Sequence, residues 1–202
     1  MSLTLYGGAR SRASMPRWYL EEKGIPYTWR QLAMESGEHR QPEFLAINPF
    51  GKVPALVDDQ WQSPHGGPLV LFESGAILLH LADCHGHDFS GSPQEAAAKR
   101  ALAAQWILFA NATLAMALFV PSNREKEGAR LLEELNRQLA HGRSLLGGET
   151  GSWSVADCAV HAYLAYIPVF FPDIDLGPYP HVQATIAATQ QRPSYRRVMG
   201  LT

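Results

Sequence analysis

Every strand signal in this sequence lies ahead of residue 73, and the helical patterns that follow residue 86 contain none of any strength. A chain that alternates strand with helix and then turns wholly helical is read as an α/β unit followed by an all-α one. The alternating part opens with LTLY (3–6), stopped by Gly7-Gly8. Residues 11–23 read as a helix with Pro16 tolerable only in its first turn, and Gly24 with Ile25-Pro26 ends it. PYTWRQL (26–32) alternates as a second strand, PEFLAI offers a short helix, and PALVDD and PLVLFE form a strand pair. The connection between that pair, QWQSPHGG, is long for a hairpin turn. Ser74 opens GAILLHLADCHG, apolar at 77, 78, 81 and 84 with a helical period. The first two strands, joined by a crossover helix, are expected to be parallel and the last two antiparallel. The expectation is a βαβ–ββα arrangement on a mixed four-stranded sheet.

Residues 1–84 form the expected first domain, 85–93 a Gly/Ser/Pro-containing linker, and 94–202 the all-helical domain. Within the latter, 93–119 reads as one long helix starting near Ser92, and 123–148 as an amphipathic helix ending at Gly147-Gly148. SVADCAV (154–160) carries a capping box with Ser154 as N-cap and Asp157 three residues on, a folding device worth about 1 kcal/mol. Residues 181–191 and 193–200 are two short closing helices.

Bulk composition narrows the function classes. Net charge is −2 and the pI about 6.4, which gives no footprint for nucleic acid or an anionic membrane. The longest apolar runs, such as ATLAMALFV (112–120), are too short to span a bilayer, and no basic segment with a long apolar stretch follows Met1. The two cysteines, Cys84 and Cys158, lack metal or redox spacing and sit in apolar helical patterns as core thiols. A reduced, cytoplasmic protein is expected. The histidines likewise show no metal-ligand spacing, with His80, His85 and His87 read as helix-end and linker residues, so no metal is expected.

One segment asks for a ligand. NPFGKVP (48–54) places two prolines and a glycine just ahead of a strand, which excludes a regular helix or central strand. Val53-Pro54 at the strand's mouth is a place for a cis bond, which would leave the backbone of Val53 turned outward to bind something.

Three stretches together resemble the cytosolic, thioredoxin-like glutathione S-transferases: NPFGKVPAL (48–56), FESGAILLHLA (72–82) and SVADCAV (154–160). LYGGARSRASMPRWYLEEKGIPY (5–27) is similar to the catalytic loop and first helix of bacterial serine-type members, with the Ser-Arg pair and WYLEE of a cyanobacterial (chi-like) subgroup. The resemblance implies an enzyme that holds glutathione as a thiolate and conjugates it to hydrophobic electrophiles. Glutathione is then a co-substrate, and the protein a homodimer. A non-catalytic binding module of the same fold, or a glutathione-dependent isomerase or peroxidase, remains the alternative.

A free thiol titrates near 8.5, so activation needs a hydroxyl hydrogen bond to sulfur, positive potential, or both. The loop supplies these as Ser11, the first candidate, with Arg10, Arg12, Ser14 and Tyr6 as alternates. No cysteine lies in the loop, which argues against members that form mixed disulfides with glutathione. By resemblance, Val53 ahead of Pro54 pairs its backbone with the cysteinyl unit, and Glu73-Ser74 receives the γ-glutamyl amine and carboxylate, Ser74 doubling as helix N-cap. His39, Arg40 and Lys52 are candidates for the glycine carboxylate. The electrophile site is expected between the domains, walled by Trp106, Phe109, Met116 and Phe119, with Arg12 within reach.

Overall fold

A computed structural model of the chain describes residues 2–9, 11–149 and 152–201. It divides into two compact units, residues 1–86 and 87–202. The first runs β1 (Leu3–Gly7), α1 (Ser14–Lys23), β2 (Thr28–Gln31), a 3-10 turn (Glu38–Arg40), α2 (Pro42–Leu45), β3 (Ala55–Gln62), β4 (Pro68–Phe72) and α3 (Ser74–Cys84). Sheet order is β2-β1-β3-β4, with β1 parallel to β2 and antiparallel to β3, and β3 antiparallel to β4. This is the mixed, thioredoxin-like sheet.

β1 is central and buries alternate residues, Leu3 and Leu5 among them, as a strand's period of two requires. Leu5 lies opposite Trp29 on one side and Leu56 on the other. Helices α1 and α3 contribute Trp18, Tyr19, Leu20, Ile77, Leu78 and Leu81, all essentially inaccessible to solvent. Each of the leucines and the isoleucine adds about 1.5–3 kcal/mol of transfer free energy.

Two boundaries differ from the sequence reading. Helix α1 begins at Ser14 rather than residue 11, because the Ser11 hydroxyl accepts the Ala13 amide at 3.3 Å and holds 11–13 in a turn. Pro16 still falls in the first turn. β3 continues through Trp61-Gln62 with a register irregularity between Asp58 and Gln62, so the apparent long connection shrinks to Ser63–Gly67, closed by the Ser63 amide on the Gly67 carbonyl at 3.0 Å.

The elements of the second unit among its described residues are all helical: α4 (Pro93–Leu108), a π-helical segment (Phe109–Leu114), α5 (Ala115–Phe119), the single turn α6 (Pro121–Asn123), a second π segment (Arg124–Gly128), α7 (Ala129–Leu139), α8 (Val155–Phe170), α9 (Pro180–Gln191) and α10 (Pro193–Met199). Ser92 and Glu95 form a reciprocal capping box at the start of α4. α8 is the core helix, buried almost continuously from Val155 to Ile167. α7 stops at Leu139, well short of Gly147.

The continuous helical stretch 93–119 is long and apolar enough, by length and a mean hydropathy of 1.6, to cross a membrane. Counting uninterrupted apolar runs missed this, because Asn111 breaks the run without breaking the helix. Its residues Ile107, Leu114 and Leu118 are buried, while 39% of the most apolar window as a whole is buried and Leu108, Met116 and Phe119 are exposed.

Candidate functional site

Segment 48–54 is shaped by one side chain. Asn48 is buried; its Nδ2 donates to the Lys52 carbonyl at 2.8 Å and its Oδ1 accepts the Phe50 amide at 3.1 Å. This Asx turn fixes the loop from inside. Gly51 sits at φ 58°, and a Cβ there would stand 2.9 Å from the His39 carbonyl, so the 3-10 turn and this loop meet at a position only glycine fills comfortably. The Val53–Pro54 bond is cis. Asn48 was missed in the sequence, although an Asn three residues ahead of a glycine in a Pro-containing turn is a signal for this staple.

The junction of β4 and α3 is the second wall. Glu73 adopts φ 69° and ψ 121°, a region sparsely used by residues with a side chain, and occupies the N-cap position. Ser74 is therefore not the cap, as the sequence suggested, but the first helical residue, and it is buried. Phe50 and Phe72 stack edge-to-face at 5.3 Å, both substantially exposed.

These two segments and the loop after β1 enclose a cavity of about 540 Å³. Lys52, Val53 and Pro54 line it from one segment, Phe72, Glu73 and Ser74 from the other, and Arg12 from the loop. It thus sets two cations and one carboxylate around a cleft at the N-terminal, positive end of α3.

The remaining candidates are placed differently. Ser11 is not among the lining residues; its hydroxyl donates to the Gly8 carbonyl at 2.7 Å and accepts the Gly8 and Ala13 amides at 3.3 Å each. The Ser14 hydroxyl donates to the Ser11 carbonyl at 3.0 Å. Tyr6 is packed against Phe44, with ring centroids 5.9 Å apart, in a cluster with Leu32 and Ala55. Arg10 lies outside the described residues. His39 is half-buried with an Nδ1 that has no partner among the described residues, and Arg40 is exposed.

In the helical unit the four expected wall residues fall into two groups. Trp106 and Phe109 meet edge-to-face at 5.6 Å and line, with Leu131 and Leu135, a cavity of about 300 Å³ between α4 and α7. Met116 and Phe119 lie beyond the π segment; Phe119 contacts Tyr163, Phe170 and Phe171, and both are close to half exposed.

Two polar clusters are built from other residues. Asp157 accepts from Ser154 N, Ser154 Oγ, Ser144 Oγ and Leu145 N, which makes it a structural hub of the helical unit. In the first unit, His80 and His85 both direct Nε2 at Asp58 Oδ2, at 2.8 and 2.7 Å. Sequence spacing gave no hint of this pair, because Asp58 lies on a strand more than twenty residues earlier. Burial pushes the Asp58 carboxyl up, but the hydrogen bonds from His80 and His85 outweigh it and leave it below its ordinary value.

Comparison with known proteins places this architecture. Residues 1–83 match the family model for the glutathione S-transferase N-terminal domain. The disulfide-bond oxidoreductase YfcG of Escherichia coli K12 is 32% identical over 195 residues, covering 87% of this chain and 84% of that protein. The glutathione S-transferase GstB of the same organism is 31% identical over 199 residues, covering 89% and 88%. A glutathione transferase from Burkholderia graminis, solved with two glutathione molecules bound per subunit, superposes with a TM-score of 0.77 at 27% identity, covering 98% of this chain and 87% of that one.

Proposed function

Since the chain belongs to the glutathione S-transferase family, we propose that it binds glutathione in the cavity of its first unit, holds the sulfur as a thiolate and adds it to hydrophobic electrophiles. The observation that carries this reading is the charge pattern of the cavity. Glutathione brings two carboxylates and one ammonium; the cavity brings Arg12, Lys52 and the N-terminus of α3 against Glu73. Glu73 and Ser74 take the γ-glutamyl end, the backbone of Val53 pairs with the cysteinyl unit as an added strand would, and Lys52, with His39 and Arg40, serves the glycine end.

For the sulfur, the geometry favours Arg12. The Ser11 proton is committed to Gly8 and must leave it to reach a thiolate, whereas the Arg12 side chain already lines the cavity. Arg12 then lowers the thiol pKa through charge, and Ser11 holds the loop that presents it. The Ser11-Arg12 pair ahead of WYLEE supports placing the chain with the serine-type members, near the cyanobacterial subgroup. We further assign glutathione binding to 1–84, the linker to 85–93 and electrophile recognition to 94–202, in a cytoplasmic homodimer.

The test is retention on immobilised glutathione together with turnover of chlorodinitrobenzene. Arg12→Ala is expected to raise the thiol pKa of bound glutathione by about one unit, equivalent to roughly 1.4 kcal/mol, and to cut kcat/KM about tenfold. Ser11→Ala should cost less, and Tyr6→Phe nothing. A larger loss in Ser11→Ala than in Arg12→Ala returns the activating role to the hydroxyl. Failure of both retention and turnover sinks the transferase reading and leaves the non-catalytic binding module.

A second reading is favoured by one relative named as a disulfide-bond oxidoreductase and one structure with two glutathione molecules per subunit. Without a loop cysteine, one glutathione thiolate attacks a substrate disulfide and a second glutathione resolves the mixed disulfide, giving glutathione disulfide and two substrate thiols. Glutathione-dependent reduction of hydroxyethyl disulfide in excess of conjugation would put this reading first.

A further inference from the structure

We propose that Asp58, His80 and His85 form a binding site for a divalent transition-metal ion of the zinc class. The three side chains offer a carboxylate oxygen and two imidazole nitrogens within 4.8 Å of one another. Both Nε2 atoms are aimed at the same carboxylate oxygen, Oδ2, to which they donate when no ion is bound; an ion would take the place of those two protons, with the rings protonated on Nδ1. Zinc sits roughly 2.0–2.1 Å from such ligands, which spaces them about 3.3 Å apart in a tetrahedron. Starting from hydrogen-bond distances of 2.7 and 2.8 Å, each ring withdraws about half an ångström from Oδ2, while the two Nε2 atoms, within 4.8 Å of each other, adjust toward the same spacing.

The ligands are carried by rigid parts of the fold. Asp58 lies on β3, flanked by Leu3 of β1 and Leu69 of β4, and is wholly buried. Its other oxygen, Oδ1, accepts the Gln60 amide at 3.0 Å, which orients Oδ2 before any ion arrives. His80 stands in the second half of α3, and the His85 amide is tied to the Leu81 carbonyl at 3.0 Å. Each imidazole is about 10% exposed, whereas the Asp58 side chain is not exposed at all, so solvent reaches the cluster from the histidine side. Two imidazoles with one carboxylate suit zinc, cobalt, nickel or copper and disfavour calcium and magnesium, which take oxygen ligands.

The site is separate from the glutathione cavity. His80 is six residues along α3 from Ser74, about 9 Å at 1.5 Å per residue. A bound ion therefore acts as a clamp between β3 and the end of α3 and does not enter the thiol chemistry. Trp61, whose ring lies 6.0 Å from that of His80 and is about half exposed, is a built-in reporter.

The experiment uses the full chain without a histidine tag, stripped with chelator and titrated in the absence of glutathione, whose thiol competes for metal. One equivalent of cobalt(II) is expected to give visible d–d absorption that zinc(II) displaces, and zinc to raise the unfolding temperature. Copper(II) should quench fluorescence in the wild type and much less in Trp61→Phe. His85→Gln is expected to weaken zinc binding by roughly a hundredfold, and the double variant His80→Asn/His85→Gln to abolish it, with unchanged far-ultraviolet circular dichroism. Absence of stoichiometric cobalt bands overturns the site, as does zinc affinity that survives in the double variant. Because Asp58→Asn disturbs a buried group, the histidine variants carry the test.

Discussion

His161 shows how one side chain sets a pH limit. Its Nε2 is buried, has no hydrogen-bond partner among the described residues, and lies 3.8 Å from Asp157 Oδ1. Burial is the main cause that holds its pKa down, to about 4; Asp157 opposes the shift and Arg192 adds to it. The folded state therefore keeps the ring neutral, while the unfolded chain takes up a proton near 6.5. Stability is full above pH 6.5 and falls as pH drops toward about 4, by about 3 kcal/mol in all. Urea unfolding followed across that range should show this slope, and His161→Phe should flatten it; a variant that keeps the whole slope would assign it elsewhere. Gly51 sets a smaller, steric limit. Gly51→Ala forces a Cβ toward the His39 carbonyl at positive φ, and is expected to cost about 1–2 kcal/mol by denaturant titration and to weaken glutathione retention. At this scale the sequence was legible where chemistry is local. NPFGKVP marked Val53-Pro54 as a place for a cis bond, which the structure has, but the unusual φ of Glu73 and the convergence of two histidines on Asp58 depend on neighbours that no spacing rule supplies.

At the scale of elements, Asp157 joins a helix start to a distant loop. It closes the capping box with Ser154 and also receives the Ser144 hydroxyl at 2.6 Å and the Leu145 amide at 3.0 Å. Asp157→Ala strands these buried donors as well as the cap, so the expected loss is roughly 2–4 kcal/mol, against about 1 for a cap alone. Denaturant midpoints for Asp157→Ala and Ser154→Ala should differ accordingly, and equal midpoints would reduce Asp157 to a cap. The box itself was readable from three-residue spacing; the reach to Ser144 was not, since Ser144 lies thirteen residues away in the sequence. The same distinction explains α1. Gly24 marked its end through a left-handed C-cap, while its start moved because Ser11 turns its hydroxyl onto the backbone.

At the scale of the molecule, the candidate cavity belongs entirely to residues 1–86. Glutathione at a hundred times its Kd should then stabilise that unit by about 2.7 kcal/mol. Hydrogen exchange with and without glutathione should show new protection concentrated in the 48–54 segment, the start of α3 and the loop after β1. Protection confined to the helical unit would move the site. The division into a strand-bearing and a helical part was legible from periodicity alone, because strands and helices leave different repeats in the chain. Winding within a helix was not legible. The segment from Pro93 to Phe119 reads as one uninterrupted pattern, yet it opens into a π turn over Phe109–Leu114. A π turn houses more residues than an α turn and interrupts the i→i+4 ladder only locally. The stretch between Trp106 and Met116 therefore has slack in length: one residue removed from 109–114 can be absorbed by tightening that turn, leaving the faces presented above and below it in place. Here the loss of a residue becomes a change of pitch, with no change of partner.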